Sequence, residues 1–264
     1  MRLPSLPGAI VEFGEACFRR FLEVEGTLQA TVLAAQAFTS LIPFMVVAAA
    51  FGPGEGDIGD RIVERFDLSG NAALSVKQLF NSAGEVESAI TWVSVVILIL
   101  SALSFTRALQ RMYQRSYATP VSRWKEGWRG LAWLAGVAVW LIVSSPLRNA
   151  LSDSAGLVVA LTFSTITGFA LWLWTPGILL GDLGWRHLLP GALISAVLGG
   201  LLTAASGIYI PVFMTWSADK YGLIGIAFSL QSWLLAVAFV IVIGAVIGAV
   251  ASEHLGDRLE QIAR

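Results

Sequence analysis

Long runs without charge alternate with short polar segments along the whole chain. Six runs contain no Asp, Glu, Lys or Arg, and they lie at residues 26–54, 88–106, 130–147, 154–181, 188–218 and 221–252. A helix crosses the hydrocarbon core of a bilayer with about 20 residues, so each run has a length that suits one span. The runs are apolar on all sides, as membrane helices are. The pattern therefore predicts an all-α, polytopic membrane protein with six transmembrane helices.

The segments between the runs predict helices that lie at the membrane surface. From Ile10 to Val24, apolar residues recur at every third or fourth position between charged ones, which is typical of an interfacial helix. Similar spacing within residues 52–88 predicts two short amphipathic helices, which could cover a cavity or rest on the membrane. We expect a single membrane domain over residues 1–264, with an interfacial N-terminal helix at 1–25, six spans including the outer loop 52–88 within 26–252, and a cytoplasmic tail at 253–264.

Basic residues are concentrated between the second and third runs. Residues 107–129 carry six Lys and Arg residues against one acid, Glu126, and such a loop is expected on the cytoplasmic side. Alternation from there places both termini inside, with twelve of the 17 basic residues inside and five outside. Anionic lipid headgroups are possible partners of this loop, although its role in setting orientation is enough to explain the charge.

Small residues form a stripe that organises the last two runs. Five of them follow one another at intervals of four, and two more lie in the final run: Gly191, Ser195, Gly199, Thr203 and Gly207, then Gly244 and Gly248. On a helix this spacing places the five on one face, where close backbone approach is a principal way of packing membrane helices. We interpret the two runs as a tightly packed hairpin joined by a short polar link around Ser217, Asp219 and Lys220. Small residues are, however, also common in membrane helices generally.

Polar side chains within the apolar runs mark a candidate substrate path. Gln36, Thr39 and Ser40 occupy one side of the first run, and Gln231 lies in the last. Buried polar groups need partners, so these side chains are expected to face other helices or water. The candidate path is completed by an arginine at the outer end of the third run and by two tyrosines: Arg148, Tyr209 and Tyr221. The last run is longer than a bilayer core, so either its helix tilts or the stretch from Tyr221 to Gly225 is a non-helical entry; the glycines in that stretch favour the second.

Composition removes several classes of function. With 56% hydrophobic residues, 13% charged residues and a mean hydropathy of +0.74, the chain is not a soluble domain. One cysteine and two histidines are too few for a usual zinc site, so no metal and no cofactor are expected. The net charge of −1 gives no bias toward nucleic acid. Neither HExxH nor GxSxG occurs, and we do not expect an enzyme.

Several sequence blocks resemble one family of bacterial membrane proteins. They are LAAQAFTSLIPF, RALQRMYQRSY, WRHLLPGALISAVL, then Tyr209 followed by YGLIG and QSWLLAVAFVIVIGA. In this order they resemble the YihY/BrkB family over nearly the whole chain. The resemblance implies six spans and a location in the bacterial cytoplasmic (inner) membrane. The family commonly has an acid after the final Gly-Ala, where this chain has Val246. A past association of the family with a tRNA-processing ribonuclease finds no support in the residues, which provide no cluster for a catalytic metal.

Two functions from different classes follow from these observations. The first is a transporter, exporter or lipid flippase for an amphiphilic or anionic solute. No ionisable residue lies deep in a run, so we do not expect an intramembrane carboxylate to couple the movement to an ion. The second is a membrane scaffold that binds a partner without transporting anything. Membrane lipids are the expected partners, and a homo-oligomer is possible.

Overall fold

The chain is helical throughout the part that the structure, a computed structural model, describes. The described residues are 6–51, 60, 63, 70–71, 73–74, 77–78, 88–119, 127–137, 139–140, 157–181 and 183–263. Six helices have defined bounds: α1 (Leu6–Glu23), α2 (Gly26–Phe51), α3 (Ser88–Ser116), α4 (Leu157–Leu180), α5 (Trp185–Tyr221) and α6 (Leu223–Ala263). Residues 127–137 and 139–140 are helical as well.

Three stretches are long and apolar enough to cross a membrane, judged on length and composition within the described residues. They are Trp92–Ser116 in α3, Trp185–Gly207 in α5 and Leu223–His254 in α6. A shorter apolar stretch, Thr165–Leu180, lies in α4. The prediction of an all-helical membrane protein is therefore confirmed at this coarser level. Six spans with both termini on the cytoplasmic side stay a prediction.

The chain divides into two compact units, and the first of them gathers three separate parts of the sequence. It comprises Met1–Ala30, Thr106–Gly200 and Phe239–Arg264. Its buried side chains include Met112 and Leu179, which are fully enclosed, and Val242 of α6. Because these three residues belong to α3, α4 and α6, the core of this unit is built from helices that are distant in sequence.

Ion pairs connect the N-terminal helix α1, and the turn that follows it, to other helices of the first unit. Arg20 Nη2 lies 2.5 Å from Glu253 Oε1 of α6, and Arg115 Nη1 of α3 lies 3.3 Å from Glu25 Oε2, which follows α1. The Phe13 ring also contacts the His254 ring, with 5.8 Å between centroids. Phe18 and Leu22 remain exposed on another face of α1. The helix therefore packs on protein along one side and presents apolar residues along another.

Two side chains satisfy the carbonyl groups at the end of α4. The last four carbonyls of a helix have no partner within the helix. Gln110 Nε2 donates to the Leu179 carbonyl at 3.0 Å, and Arg129 Nη1 donates to the Leu180 carbonyl at 2.7 Å. Gly181 follows with a φ of +65°, the left-handed conformation that commonly ends helices. A cation at this end also interacts favourably with the helix dipole.

The second unit comprises Thr31–Phe105 and Leu201–Ala238. Its buried cluster is formed by four residues of α5 and α6, Ile210, Met214, Ala218 and Ile226. Val63 and Ala73, from the segment predicted as the first outer loop, pack against this cluster. Asn71 Nδ2 from the same segment donates to Asp219 Oδ1 at 3.1 Å. The described residues of that segment thus lie on the end of the α5–α6 hairpin.

A single residue separates α5 from α6. Gly222 has a φ of +62°, and its N–H donates to the Ala218 carbonyl at 2.8 Å. A Cβ at Gly225 would overlap the Ser217 carbonyl, so the two helices are in backbone contact directly after the turn. The expected non-helical entry from Tyr221 to Gly225 is wrong, because α5 continues to Tyr221 and α6 already begins at Leu223. One left-handed glycine is enough to reverse the chain.

Candidate functional site

A mainly apolar cleft with four polar side chains opens between α2 and α3 in the second unit. Its lining comes from two side chains of α2 and four of α3: Gln36, Thr39, Ile97, Leu100, Ser101 and Ser104. The cleft has a volume of about 280 Å³, which corresponds to roughly nine water molecules at about 30 Å³ each. This space is sufficient for the polar part of a small amphiphile.

The hydroxyl groups of α2 are held by bonds within their own helix. Thr39 Oγ1 donates to the Ala35 carbonyl, and Ser40 Oγ donates to the Gln36 carbonyl at 2.8 Å. Bonds to the carbonyl four residues earlier are usual for Ser and Thr inside helices. Since each hydroxyl has only one hydrogen, Thr39 retains acceptor lone pairs but no donor for a molecule in the cleft.

The side-chain oxygen of Gln36 is buried and has no hydrogen-bond partner among the described residues. Leaving such an acceptor unsatisfied costs on the order of 1–3 kcal/mol. A water molecule or a ligand group with an N–H or O–H donor would remove that cost. Because protein atoms enclose this oxygen, a molecule in the cleft reaches it only after the Gln36 side chain rotates.

Apolar side chains of α3 lie beside the polar lining. Val96 is 56% exposed, and the cleft residues Ile97 and Leu100 are 46% and 59% exposed. In a membrane protein such exposed aliphatic side chains contact lipid tails. The six lining residues carry no formal charge. The arrangement can thus hold an uncharged or hydrogen-bonding group while an attached apolar chain remains in lipid.

The residues predicted for the substrate path are distributed unevenly in the structure. Gln36 lines the cleft, whereas neither Ser40 nor Gln231 belongs to the described lining. Gln231 Oε1 is nevertheless buried without a partner among the described residues. Arg148 lies outside the described residues. Of the residues predicted for the path, Gln36 is the one that the described lining contains.

Two lining residues on the other wall were missed. Ser101 and Ser104 interrupt the second apolar run three residues apart, which places them on one face of α3. That spacing was a usable signal. It was weak because serine is tolerated in membrane helices, where its hydroxyl can bond to its own backbone.

Tyr209 and Tyr221, also predicted for the path, lie at the two ends of one aromatic row on α5. The Tyr209 and Phe213 rings stack with centroids 4.9 Å apart, and Phe213 is 6.1 Å from Trp216. Trp216 meets Tyr221 edge to face at 6.4 Å. Steps of four and three residues bring Tyr209, Phe213 and Trp216 to one side of the helix. Tyr221, five residues after Trp216, starts from another side, and its ring reaches the row edge to face.

The small-residue stripe makes its closest contacts at its N-terminal end, in the first unit. A Cβ at Gly191 would lie 3.2 Å from the Gly248 Cα and 3.3 Å from the Gly244 carbonyl oxygen. A Cβ at Gly244 would in turn overlap the Ser195 side chain. Gly191 and Ser195 of α5 therefore lie against Gly248 and Gly244 of α6 in antiparallel register.

Farther along α5 the stripe has other surroundings. A Cβ at Gly199 would lie 3.2 Å from Cζ2 of Trp172 on α4. Thr203 and Gly207 are exposed, and no described atom lies within 4 Å of a Cβ built at Gly207. The seven small residues thus occupy three different environments: helix backbone, an indole ring, and open surface.

The described residues offer little to nucleophilic or metal chemistry. The cysteine, Cys17, is half-buried on α1, and burial raises the pKa of its thiol, so little thiolate is present at neutral pH. Within the described part of the chain, no three His, Cys, Asp or Glu side chains come together in a group that could hold a metal ion.

Comparison with known proteins gives one match. The sequence model of a family described as "Virulence factor BrkB" matches residues 17–263, nearly the whole chain. No curated protein and no solved structure matches the chain significantly.

Proposed function

The chain belongs to the virulence factor BrkB family, and from this premise we propose that it is a membrane protein through which the polar headgroup of an amphiphilic lipid crosses the bilayer. The α2–α3 cleft is the proposed path. The observation that carries the proposal is a cleft that contains four polar side chains, Gln36 among them, and is bordered by exposed aliphatic side chains. The proposed setting is the bacterial cytoplasmic membrane, with six spans and both termini inside.

A lipid flippase has to shelter a headgroup while the acyl chains stay in the bilayer. Polar groups without hydrogen bonds are costly in hydrocarbon, and the cleft offers the amide of Gln36 with the hydroxyls of Thr39, Ser101 and Ser104. Ile97 and Leu100 provide an apolar border along which chains can move. An amphiphile therefore suits the cleft better than a fully polar solute does.

The energy source follows from the same residues. No carboxylate or other ionisable side chain is among the described lining residues. Coupling to protons or sodium ions usually employs an ionisable or carboxylate group within the membrane. We therefore propose movement without such coupling, in the direction that the gradient of the lipid sets.

Arginines on α3 support a role for anionic lipids as partners. Arg107, Arg111 and Arg115 are exposed and follow one another at intervals of four, so they form a row on the helix. Arg115 pairs with Glu25, while no ion pair is seen for Arg107 or Arg111 among the described residues. We propose that these two guanidinium groups contact anionic headgroups, each contributing about 1 kcal/mol.

Lipid movement in reconstituted vesicles tests the proposal. The full-length protein is placed in vesicles that contain a fluorescent phospholipid, and a membrane-impermeant reductant is added outside. Protein that moves lipid allows the inner-leaflet fluorescence to be lost. Gln36→Leu removes the amide and should slow this loss roughly five- to hundredfold, as expected for a lost hydrogen bond of about 1–3 kcal/mol.

A matched pair of serine variants locates the path. Ser104→Val replaces a hydroxyl group of the cleft by methyl groups. Ser232→Val makes the same change at an exposed serine of α6, whose hydroxyl donates to the Phe228 carbonyl of the same helix. Only Ser104→Val should slow lipid movement. Equal rates for the parent and Gln36→Leu would exclude the cleft as the path. A parent no faster than empty vesicles would instead favour the non-transporting scaffold.

A further inference from the structure

Lys220 is a cation at the end of the aromatic row, and nearby rings hold it in place. Its Nζ lies 5.2 Å from the centroid of the Trp216 ring and 5.4 Å from that of Tyr221. Such cation–π contacts favour one position of an otherwise flexible side chain. Lys220 is also in the last turn of α5, where a positive charge interacts favourably with the helix dipole.

No carboxylate neutralises this ammonium group among the described residues. The ion pairs of the described residues are those of Arg20, Lys77 and Arg115. Asp219, the neighbour of Lys220 in sequence, accepts a hydrogen bond from Asn71 instead. Among the described residues, none accepts a hydrogen bond from the Lys220 ammonium or neutralises its charge, so its three donors can serve an anion.

From Lys220 toward the N-terminus of α5, the aromatic rings form an apolar surface. Its extent along the helix is close to the thickness of the hydrocarbon part of one bilayer leaflet. Tyr209, Trp216 and Tyr221 are 51%, 53% and 55% exposed. Eleven residues separate Tyr209 from Lys220, which is about 17 Å along a helix. Half of a hydrocarbon core of about 30 Å is about 15 Å. The row therefore extends as far as an acyl chain extends from the membrane surface to the midplane.

We propose that this surface binds one anionic phospholipid, with its phosphate at Lys220 Nζ and one acyl chain along the rings from Trp216 to Tyr209. Charge complementarity favours a phosphate at the unpaired ammonium. The exposed rings favour a lipid over a soluble phosphate, because a soluble anion would leave them without a contact. Trp and Tyr are also the residues enriched at membrane interfaces. The site shares no residue with the α2–α3 cleft, and it does not depend on the proposed movement of lipid.

Quenching of tryptophan fluorescence by brominated phospholipid tests this site. The full-length protein in detergent is titrated with brominated phosphatidylglycerol or brominated phosphatidylcholine, and the difference between the parent and Trp216→Phe isolates the signal of Trp216. Lys220→Gln should raise the half-saturating fraction of phosphatidylglycerol about fivefold, because one cation near the membrane surface contributes about 1 kcal/mol to binding. The half-saturating fraction of phosphatidylcholine should not change. Lys220→Arg should keep the parent affinity.

Lys77→Gln is the matched control. It removes a lysine of the same unit whose ammonium is already paired, with Asp60 Oδ1 at 2.6 Å, and it should not alter the titration. Equal affinity of the parent for the two lipids would overturn the proposal, because the rings would then serve only as an interfacial belt. Displacement of the lipid by glycerol 1-phosphate as effectively as by phosphatidylglycerol would also overturn it, in favour of a soluble anion.

Discussion

Replacing Gly191 by alanine should destabilise the protein, although the same change at Gly207 should stabilise it. At Gly191 the new methyl carbon would lie 2.6 Å from the Tyr117 hydroxyl oxygen and 3.2 Å from the Gly248 Cα. The backbone of α6 cannot rotate away from it as a side chain can, so one helix has to shift. At Gly207 no described atom lies within 4 Å of that carbon.

The magnitude follows from two opposing contributions. Alanine stabilises a helix by about 1 kcal/mol relative to glycine, and this gain applies to both positions. An extra methyl group in a packed contact costs about 1–3 kcal/mol, and this cost applies only to Gly191. The difference between the two variants should therefore be about 1–3 kcal/mol. Gly199→Ala should fall between them, because the contact at 3.2 Å is with the Trp172 ring.

Thermal unfolding of the purified protein in one detergent at a fixed lipid content measures this difference. At about 2–4 °C per kcal/mol, Gly191→Ala should melt roughly 2–12 °C below Gly207→Ala. Gly248→Ala approaches the same contact from α6, where its Cβ would lie 2.8 Å from the Gly191 nitrogen, and it should behave like Gly191→Ala. If Gly191→Ala melts at or above Gly207→Ala, the close approach of α5 and α6 does not exist.

Two more predictions concern topology and buried amides. In a Cys17→Ser background, a thiol reagent restricted to the outside should label Gly54→Cys but not Ser122→Cys; labelling at position 122 would disprove the predicted orientation. Gln36→Leu and Gln231→Leu should each leave the melting temperature unchanged or raise it, because each removes a buried oxygen without a described partner. A fall of several degrees for either variant would reveal a hydrogen bond to that oxygen.

Helices α2, α4 and α5 lie on predicted apolar runs, because charge is excluded from a helix that lies in an apolar environment. Helices α3 and α6 continue past their runs through charged residues, which absence of charge does not predict. The hairpin turn could not be placed correctly from sequence. Ser217, Asp219 and Lys220 suggested a polar link, yet all three lie in the last turns of α5. Polar residues suit both a loop and an exposed helix end. Hydrogen bonding around Gly222 decides between them, and it depends on a single left-handed residue.

Only part of the cleft could be predicted, for a related reason. Gln36 stands out in an apolar run because burial of its amide is costly. Ser101 and Ser104 carry little such cost, since a serine hydroxyl can bond to its own helix. Their importance appears only when α2 and α3 are placed side by side. The sequence analysis named Tyr209 and Tyr221 but not the aromatic row between them, because the step of five residues to Tyr221 is not a same-face spacing and only the structure shows the ring contacts.

The ion pair between Arg20 and Glu253 has a consequence for the order in which the protein is made. The two residues are 233 positions apart, so the ribosome makes α1 long before it makes Glu253 of α6. Until then α1 lacks its contacts with α6, and the pair of Arg115 with Glu25 is the described ion pair that can form earlier. A chain terminated before Glu253 would lack the end of α6 that pairs with Arg20, even if all of the earlier helices had inserted.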